Sequence, residues 1–143
     1  MTSPSLMLEP CAMEREVTSE VVECLLAEAR AAHPRECCGI LLGEGECITA
    51  MRPATNVHPS PETHFEIDPQ ALIDAHRAAR QGGPQVLGYY HSHPNGRAEP
   101  SATDGAMAAG DGRMWLIVAG GSINGWKDAP SGFERLSLRV RPA

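Results

Sequence analysis

Two histidines one residue apart, His91 and His93, sit in the most chemically loaded stretch of this chain, GYYHSHPNGRAEPSATDGAMA at residues 88–108. Ser101 and Asp104 follow across a seven-residue loop rich in Pro, Gly and Asn. Residues i and i+2 of a strand share a face. The two imidazoles therefore project side by side, with Leu87 and Tyr89 behind them and Ser92 turned away. Pro94 ends the strand at once, which leaves the pair at a sheet rim where a ligand can enter. Ser101 and Asp104 stand three apart at the start of a predicted helix, on neighbouring turns of one face. Two His and one carboxylate leave a fourth tetrahedral position for water, the ligand set of a catalytic zinc rather than a structural one.

Each half of this pattern has a plainer reading. A His-x-His on a strand is commonly a surface pair, and Ser-x-x-Asp before a helix is a variant of the capping box. Both halves together, joined by so short a loop, favour the metal. Hydrolysis at such a centre also wants a general base. Two acids are within reach of that role by sequence: Glu99 in the loop and Glu36 just before the apolar run CCGILLG. Spacing alone leaves both open.

The elements that must position these residues follow from periodicity. Residues 1–16 carry no period and read as a flexible lead-in to a domain over 17–143. Val21, Val22, Leu25, Leu26 and Ala29 recur at helical spacing, and Pro34 stops that helix near Ala32. CCGILLG and CITAMR read as strands around a GEGE turn, and HFEI as a short strand. Asp68-Pro69 then caps the helix QALIDAHRAARQ, which Gly82-Gly83 ends. QVLGYYHSH is the strand that carries the histidines, and SATDGAMAAG can form a short helix. MWLIVAG, SINGWK and FERLSLRV close the chain as three strands. The order implies one α/β domain, of the α+β mixed-sheet kind, with two longer helices flanking the sheet and a short one carrying the aspartate.

Bulk properties exclude several functions. The formal net charge is −6 with no basic cluster, so nucleic-acid backbone binding is disfavoured. No apolar run approaches ~18 residues, so no membrane span is expected. The N-terminus lacks the charged and apolar regions of a signal peptide. Five cysteines, Cys11, Cys24, Cys37, Cys38 and Cys47, are an odd number without framework spacing, which suits reduced thiols in the cytoplasm. Cys37 and Cys38 would face opposite sides of a strand and read as small buried hydrophobes. His33, His58, His64 and His76 have no ligand spacing to one another. Trp115 and Trp126 read as core; Asn56 could line the cleft, but a turn residue is the better reading.

HSHP followed by PSATD resembles the signature of the JAMM (MPN-plus, Mov34/JAB-type) zinc metalloproteases, in their compact prokaryotic single-domain form. HPRECCGILLG resembles that family's upstream segment, where a glutamate precedes a Cys-Gly-apolar strand, and HFEIDP is similar to its middle. The likeness runs from about residue 20 to about residue 135. It implies a JAMM/MPN-like (cytidine-deaminase-like) fold and a Zn2+ held by His91, His93 and Asp104. It makes Glu36 the base and Ser101 the donor to the oxyanion. The implied reaction is hydrolysis of a peptide or isopeptide bond at the C-terminal Gly-Gly of a ubiquitin-like or sulfur-carrier protein, with a homodimer as an allowed assembly.

The competing readings are a non-catalytic MPN-type binding scaffold and a RadC-like DNA-associated relative. The complete motif speaks against the first, and the acidic charge against the second. A zinc deaminase would need His-x-Glu and Pro-Cys-x-x-Cys, which this chain lacks.

Overall fold

A computed structural model describes residues 14–142. Seven strands and three helices follow in the order β1 (Glu14–Thr18), α1 (Ser19–Ala32), β2 (Cys38–Glu44), β3 (Cys47–Ala54), α2 (Pro69–Arg80), β4 (Gln85–Ser92), α3 (Ala102–Met107), β5 (Met114–Ala119), β6 (Ser122–Ala129) and β7 (Gly132–Arg141). The expected mixed sheet is present, and it closes on itself in the order β1-β3-β2-β4-β5-β6-β7. Closure depends on β1, which pairs parallel with both β3 and β7. Residues 14–16, expected in the lead-in, are thus part of the sheet. The remainder of that lead-in, residues 1–13, lies outside the described residues.

Helix α1 starts where Thr18 Oγ1 accepts from the Val21 amide at 3.3 Å. Its apolar stripe buries Val21 and Leu25 against the enclosed face of the sheet. Val17, Leu41, Ile48, Tyr90, Leu116, Val118 and Leu136 meet them there, drawn from six of the seven strands. Each large apolar side chain so buried stabilises the fold by roughly 1.5–3 kcal/mol. Helix α2 starts as expected, with Pro69 in its first turn and Asp68 accepting from the Gln70 amide. It packs Ala71, Leu72 and Ala75 on the opposite face, over Ile40, Leu42 and Tyr89. Cys37 and Cys38 point to these two different cores, as the strand period requires. Burial pushes their thiols up to about 11 and about 12, so both stay neutral.

Two local expectations fail, each for a visible reason. HFEI forms no strand; Ile67 makes a single bridge to Asn56. The Asn56 side chain takes the polar groups a partner strand would have used, donating to the His64 carbonyl and accepting from the Glu66 amide. Leu87 does not lie behind the histidines. Leu41 pairs with Gly88 but Leu42 with Val86, so Leu87 is an extra residue in β4 and packs into the α1 core instead. A bulge of this kind switches the alternation without ending the strand. No helix among the described residues is long and apolar enough to cross a membrane.

Candidate metal centre

The end of β4 delivers His91 and Ser92 to opposite sides of the sheet. His91 is 1% exposed and stacks on Phe65, with ring centroids 4.2 Å apart and 16° between planes. Trp115 meets its edge from below at 5.6 Å. Two aromatic rings thus hold the imidazole plane, and Phe65 comes from the segment expected to be a strand. Ser92 turns the other way, and its Oγ accepts from the Cys37 amide at 2.8 Å. The Ser92 amide donates to the Cys37 carbonyl at 3.0 Å. The serine between the histidines therefore pins the start of β2, and with it the neighbouring Glu36, beside the strand that carries them.

His93 follows the strand, its amide donating to the Val118 carbonyl. Its Nδ1 lies 2.8 Å from the Arg97 carbonyl. A carbonyl only accepts, so Nδ1 carries the proton, and the neutral ring presents a bare Nε2 to the cleft. That Nε2 lies 3.0 Å from His91 Nε2 and 3.0 Å from Asp104 Oδ2. His91 Nε2 is 3.1 Å from Asp104 Oδ1. Four acceptor-bearing atoms face one another in a buried space. Such a knot holds together only around a cation, whether proton or metal.

Metal dimensions fit. Tetrahedral ligands about 2.05 Å from a zinc would stand about 3.3 Å apart. The observed 3.0–3.1 Å separations fall a few tenths short of that, so modest outward movement would admit an ion. Orphaned atoms point the same way: Glu36 Oε1 and His91 Nδ1 are buried without a hydrogen-bond partner. Buried polar atoms ordinarily find one.

Asp104 is presented by α3, whose first turn is a reciprocal capping box. Ser101 Oγ accepts from the Asp104 amide at 3.0 Å, and the Ser101 amide donates to Asp104 Oδ2 at 2.9 Å. Capping and convergence on the histidines turn out to be one arrangement. The cap aims the carboxylate at the cleft, while the exposed Ser101 hydroxyl keeps its own proton to donate. Burial alone would raise the Asp104 pKa. The two imidazoles and the Ser101 amide outweigh it and hold the carboxyl well below its usual range. Burial makes His91 harder to protonate. It acts on His93 too, but there Asp104 and the Arg97 carbonyl prevail and raise the pKa.

Of the two acids the sequence left open, the structure brings in Glu36. One ligand atom each from Glu36, His91 and His93 lie within 4.8 Å of one another. That trio by itself could hold an ion, but Asp104 is the carboxylate in direct contact with both imidazoles. The Glu36 carboxylate makes no such contact, and its Oε1 is buried without a hydrogen-bond partner. Burial pushes its pKa to about 7, with His93 opposing and Asp104 reinforcing the shift. Proton exchange near neutrality needs a pKa of that kind. Glu99 is exposed on the loop.

One residue here was undervalued by sequence. Asn56, expected to be a turn residue, donates through Nδ2 to the carbonyls of Glu36 and His64 at 3.0 Å each. Its Oδ1 accepts from the amides of His58 and Glu66. The Glu36 amide in turn donates to the Pro61 carbonyl at 2.7 Å. Asn56 thereby ties the backbone of Glu36 to the loop that carries Phe65. Its place in a proline-rich loop ahead of HFEIDP was the available signal. His58 and His64, far apart by spacing, stack at 4.5 Å, with rings parallel rather than lone pairs converging.

The chain is similar to several known proteins. Residues 18–131 match the family described as prokaryotic homologs of the JAB domain. A desampylase of Haloferax volcanii is 34% identical over 110 residues, 75% of this chain and 79% of its own. A probable TtuB-protein conjugate cleaving protease of Thermus thermophilus is 43% identical over 84 residues, 56% of either chain. A CysO-cysteine peptidase of Mycobacterium tuberculosis is 30% identical over 105 residues, 72% of this chain and 71% of its own. The solution structure of a Desulfitobacterium hafniense protein superposes with a TM-score of 0.78 at 29% identity, covering 90% of this chain and 93% of that one. With the matched segment enclosing Glu36, both histidines, Ser101 and Asp104, the chain belongs to the prokaryotic branch of the JAB family.

Proposed function

We propose that this protein is a zinc-dependent hydrolase that cuts the peptide or isopeptide bond following the C-terminal Gly-Gly of a ubiquitin-like or sulfur-carrier protein. One observation carries the reading. Two imidazole Nε2 atoms and both oxygens of Asp104 converge within 3.0–3.1 Å, and the orphaned carboxylate of Glu36 faces them. The names of the relatives, a desampylase, a probable TtuB-protein conjugate cleaving protease and a CysO-cysteine peptidase, support the class of bond.

His91, His93 and Asp104 would hold the zinc, which supplies Lewis-acid polarisation of a carbonyl and a water acidic enough to ionise near pH 7. Glu36 takes the proton of the attacking water at its carboxylate and returns it to the departing amine. Ser101 donates its hydroxyl proton to the carbonyl oxygen as negative charge develops there. A donor of this kind is worth on the order of 10²-fold or more in turnover. A carrier tail whose backbone passes close to the centre would need small residues there, which suits a Gly-Gly terminus.

Incubation of the zinc-loaded protein with a ubiquitin-fold carrier extended beyond Gly-Gly, followed by intact mass, is the test. Loss of the extension is expected, and replacing the last glycine with valine should slow trimming by orders of magnitude. Equal rates on both carriers, or faster cleavage of unstructured peptides, would contradict the Gly-Gly specificity.

A further inference from the structure

The chain has fourteen glycines, and all but one have a local reason. Eight adopt a positive φ, a backbone conformation that other residues rarely take. At five more, an added Cβ would fall within 3.0 Å of a neighbouring atom. Gly105 is the exception. It sits inside α3 without a positive φ, and a Cβ built on it would meet nothing within 4 Å. Glycine is unfavourable in a helix because it loses the most conformational freedom on folding, and alanine is the best replacement. Neither packing nor backbone geometry within the chain explains its use here.

Gly105 directly follows Asp104, and its amide donates to the Ser101 carbonyl at 3.0 Å. That bond sets residue 105 one turn above Ser101, on the same face of the helix. The Cα–Cβ bonds of a helix tilt toward its N-terminus. A side chain at 105 would therefore lean over the turn that holds the Ser101 hydroxyl. With glycine there, that approach stays clear. Ser101 and Gly105 are both exposed. Further along the helix, Gly105 joins Ala108 and Ala109 in lining a cavity of about 310 Å³.

We infer that Gly105 is a specificity-determining residue, which keeps a backbone-width passage open beside Ser101 where the last residues of the carrier tail cross α3. The inference rests on the proposed hydrolase reading. In that reaction Ser101 donates to the oxygen of the scissile carbonyl, and this carbonyl belongs to the carrier's terminal glycine. The chain leading to it is then the part of the substrate nearest to Ser101, and the leaving group lies beyond the carbonyl carbon. Glycine facing glycine lets two backbones approach more closely than a side chain on either would allow. Gly105 and the Gly-Gly of the carrier thus answer one steric requirement from its two sides.

Gly105→Ala and Gly105→Leu test this, with a ubiquitin-fold carrier extended beyond Gly-Gly as substrate and the trimmed carrier as ligand. Both variants should keep wild-type zinc content and unfold at the same urea concentration as the wild type or a higher one. On the extended carrier, kcat/KM should fall about tenfold for Ala and about a hundredfold for Leu, chiefly through KM. Calorimetric affinity for the trimmed carrier should weaken in the same order. If Leu lowers the midpoint, Ala decides, since it adds only a methyl group to open space. Wild-type kcat/KM and wild-type carrier affinity in a folded variant overturn the inference and leave the hydrolase reading standing. A loss confined to kcat, or one that follows lost zinc, also overturns it, because the side chain would then act on Ser101 or Asp104 and not on the tail. Failure of the wild type to cleave the carrier overturns the hydrolase reading and this inference with it.

Discussion

Alternate residues of β4 enter two interiors built to opposite rules. On the α1 side, Tyr90 is fully buried and donates its hydroxyl proton to Glu28, while Ser92 Oγ accepts from the Cys37 amide. Both of these polar groups are answered by a partner within the chain. One residue away, on the other side, His91 and Glu36 are just as deeply buried, and each keeps a polar atom without a partner. Burial without a partner costs roughly 1–3 kcal/mol per group. The contrast separates a face whose polar groups are answered within the chain from a face where two are not; under the proposed function, a ligand supplies the missing partners.

Substitutions on the two sides should therefore behave differently. The largest effect is expected for Glu36→Gln on the open side. Turnover should fall by about 10²- to 10⁴-fold, the range for loss of a general base. The same change should leave the fold intact and make the metal-free protein more stable in mild alkali. In the fold the Glu36 pKa is raised from 4.5 to about 7, so the native state holds a proton that the unfolded chain has released. Stability must then fall as pH rises between those values. Urea unfolding of metal-free protein at pH 5 and pH 8 should show that slope in the wild type and a reduced one in the variant. The gain at pH 8 should be on the order of 1–3 kcal/mol. A variant less stable than wild type at pH 8 would mean that the carboxylate has a partner after all.

On the closed side the expected effect is smaller and opposite in kind. Tyr90→Phe removes the hydroxyl that, among the described residues, answers Glu28, whose pKa burial already raises against the opposing hydrogen bond. A loss of about 1–2 kcal/mol is expected, without change in metal content. Zinc lost along with stability in Tyr90→Phe would show that the two faces are not independent.

Most of the fold was legible from the chain, and the reason is local. The i, i+3, i+4 stripe of α1, the Asp68-Pro69 start of α2 and the polar punctuation of the closing strands carry their own signals. So does the pairing of His91 and His93, one inside the end of β4 and the other just past it. What escaped depends on contacts between distant segments. Phe65 supports His91 from a loop, because Asn56 takes the backbone groups that would have made that loop a strand. The bulge at Leu87 is set by its partner β2, not by its own residues. Ser101 was open to two readings, cap or chemistry, and the capping box is what presents Asp104 to the histidines. Glu36 could not be chosen over Glu99 by spacing, because only the folded sheet brings residue 36 to within 4.8 Å of residues 91 and 93.

Metal analysis of purified protein tests the central claim most directly, comparing the wild type with His91→Ala, Asp104→Ala and Glu36→Gln after exhaustive dialysis. About one zinc per chain is expected in the wild type and in Glu36→Gln, and a strongly reduced content in the other two. Wild-type zinc in His91→Ala, or zinc lost from Glu36→Gln but kept in Asp104→Ala, would contradict the assignment of ligands and base.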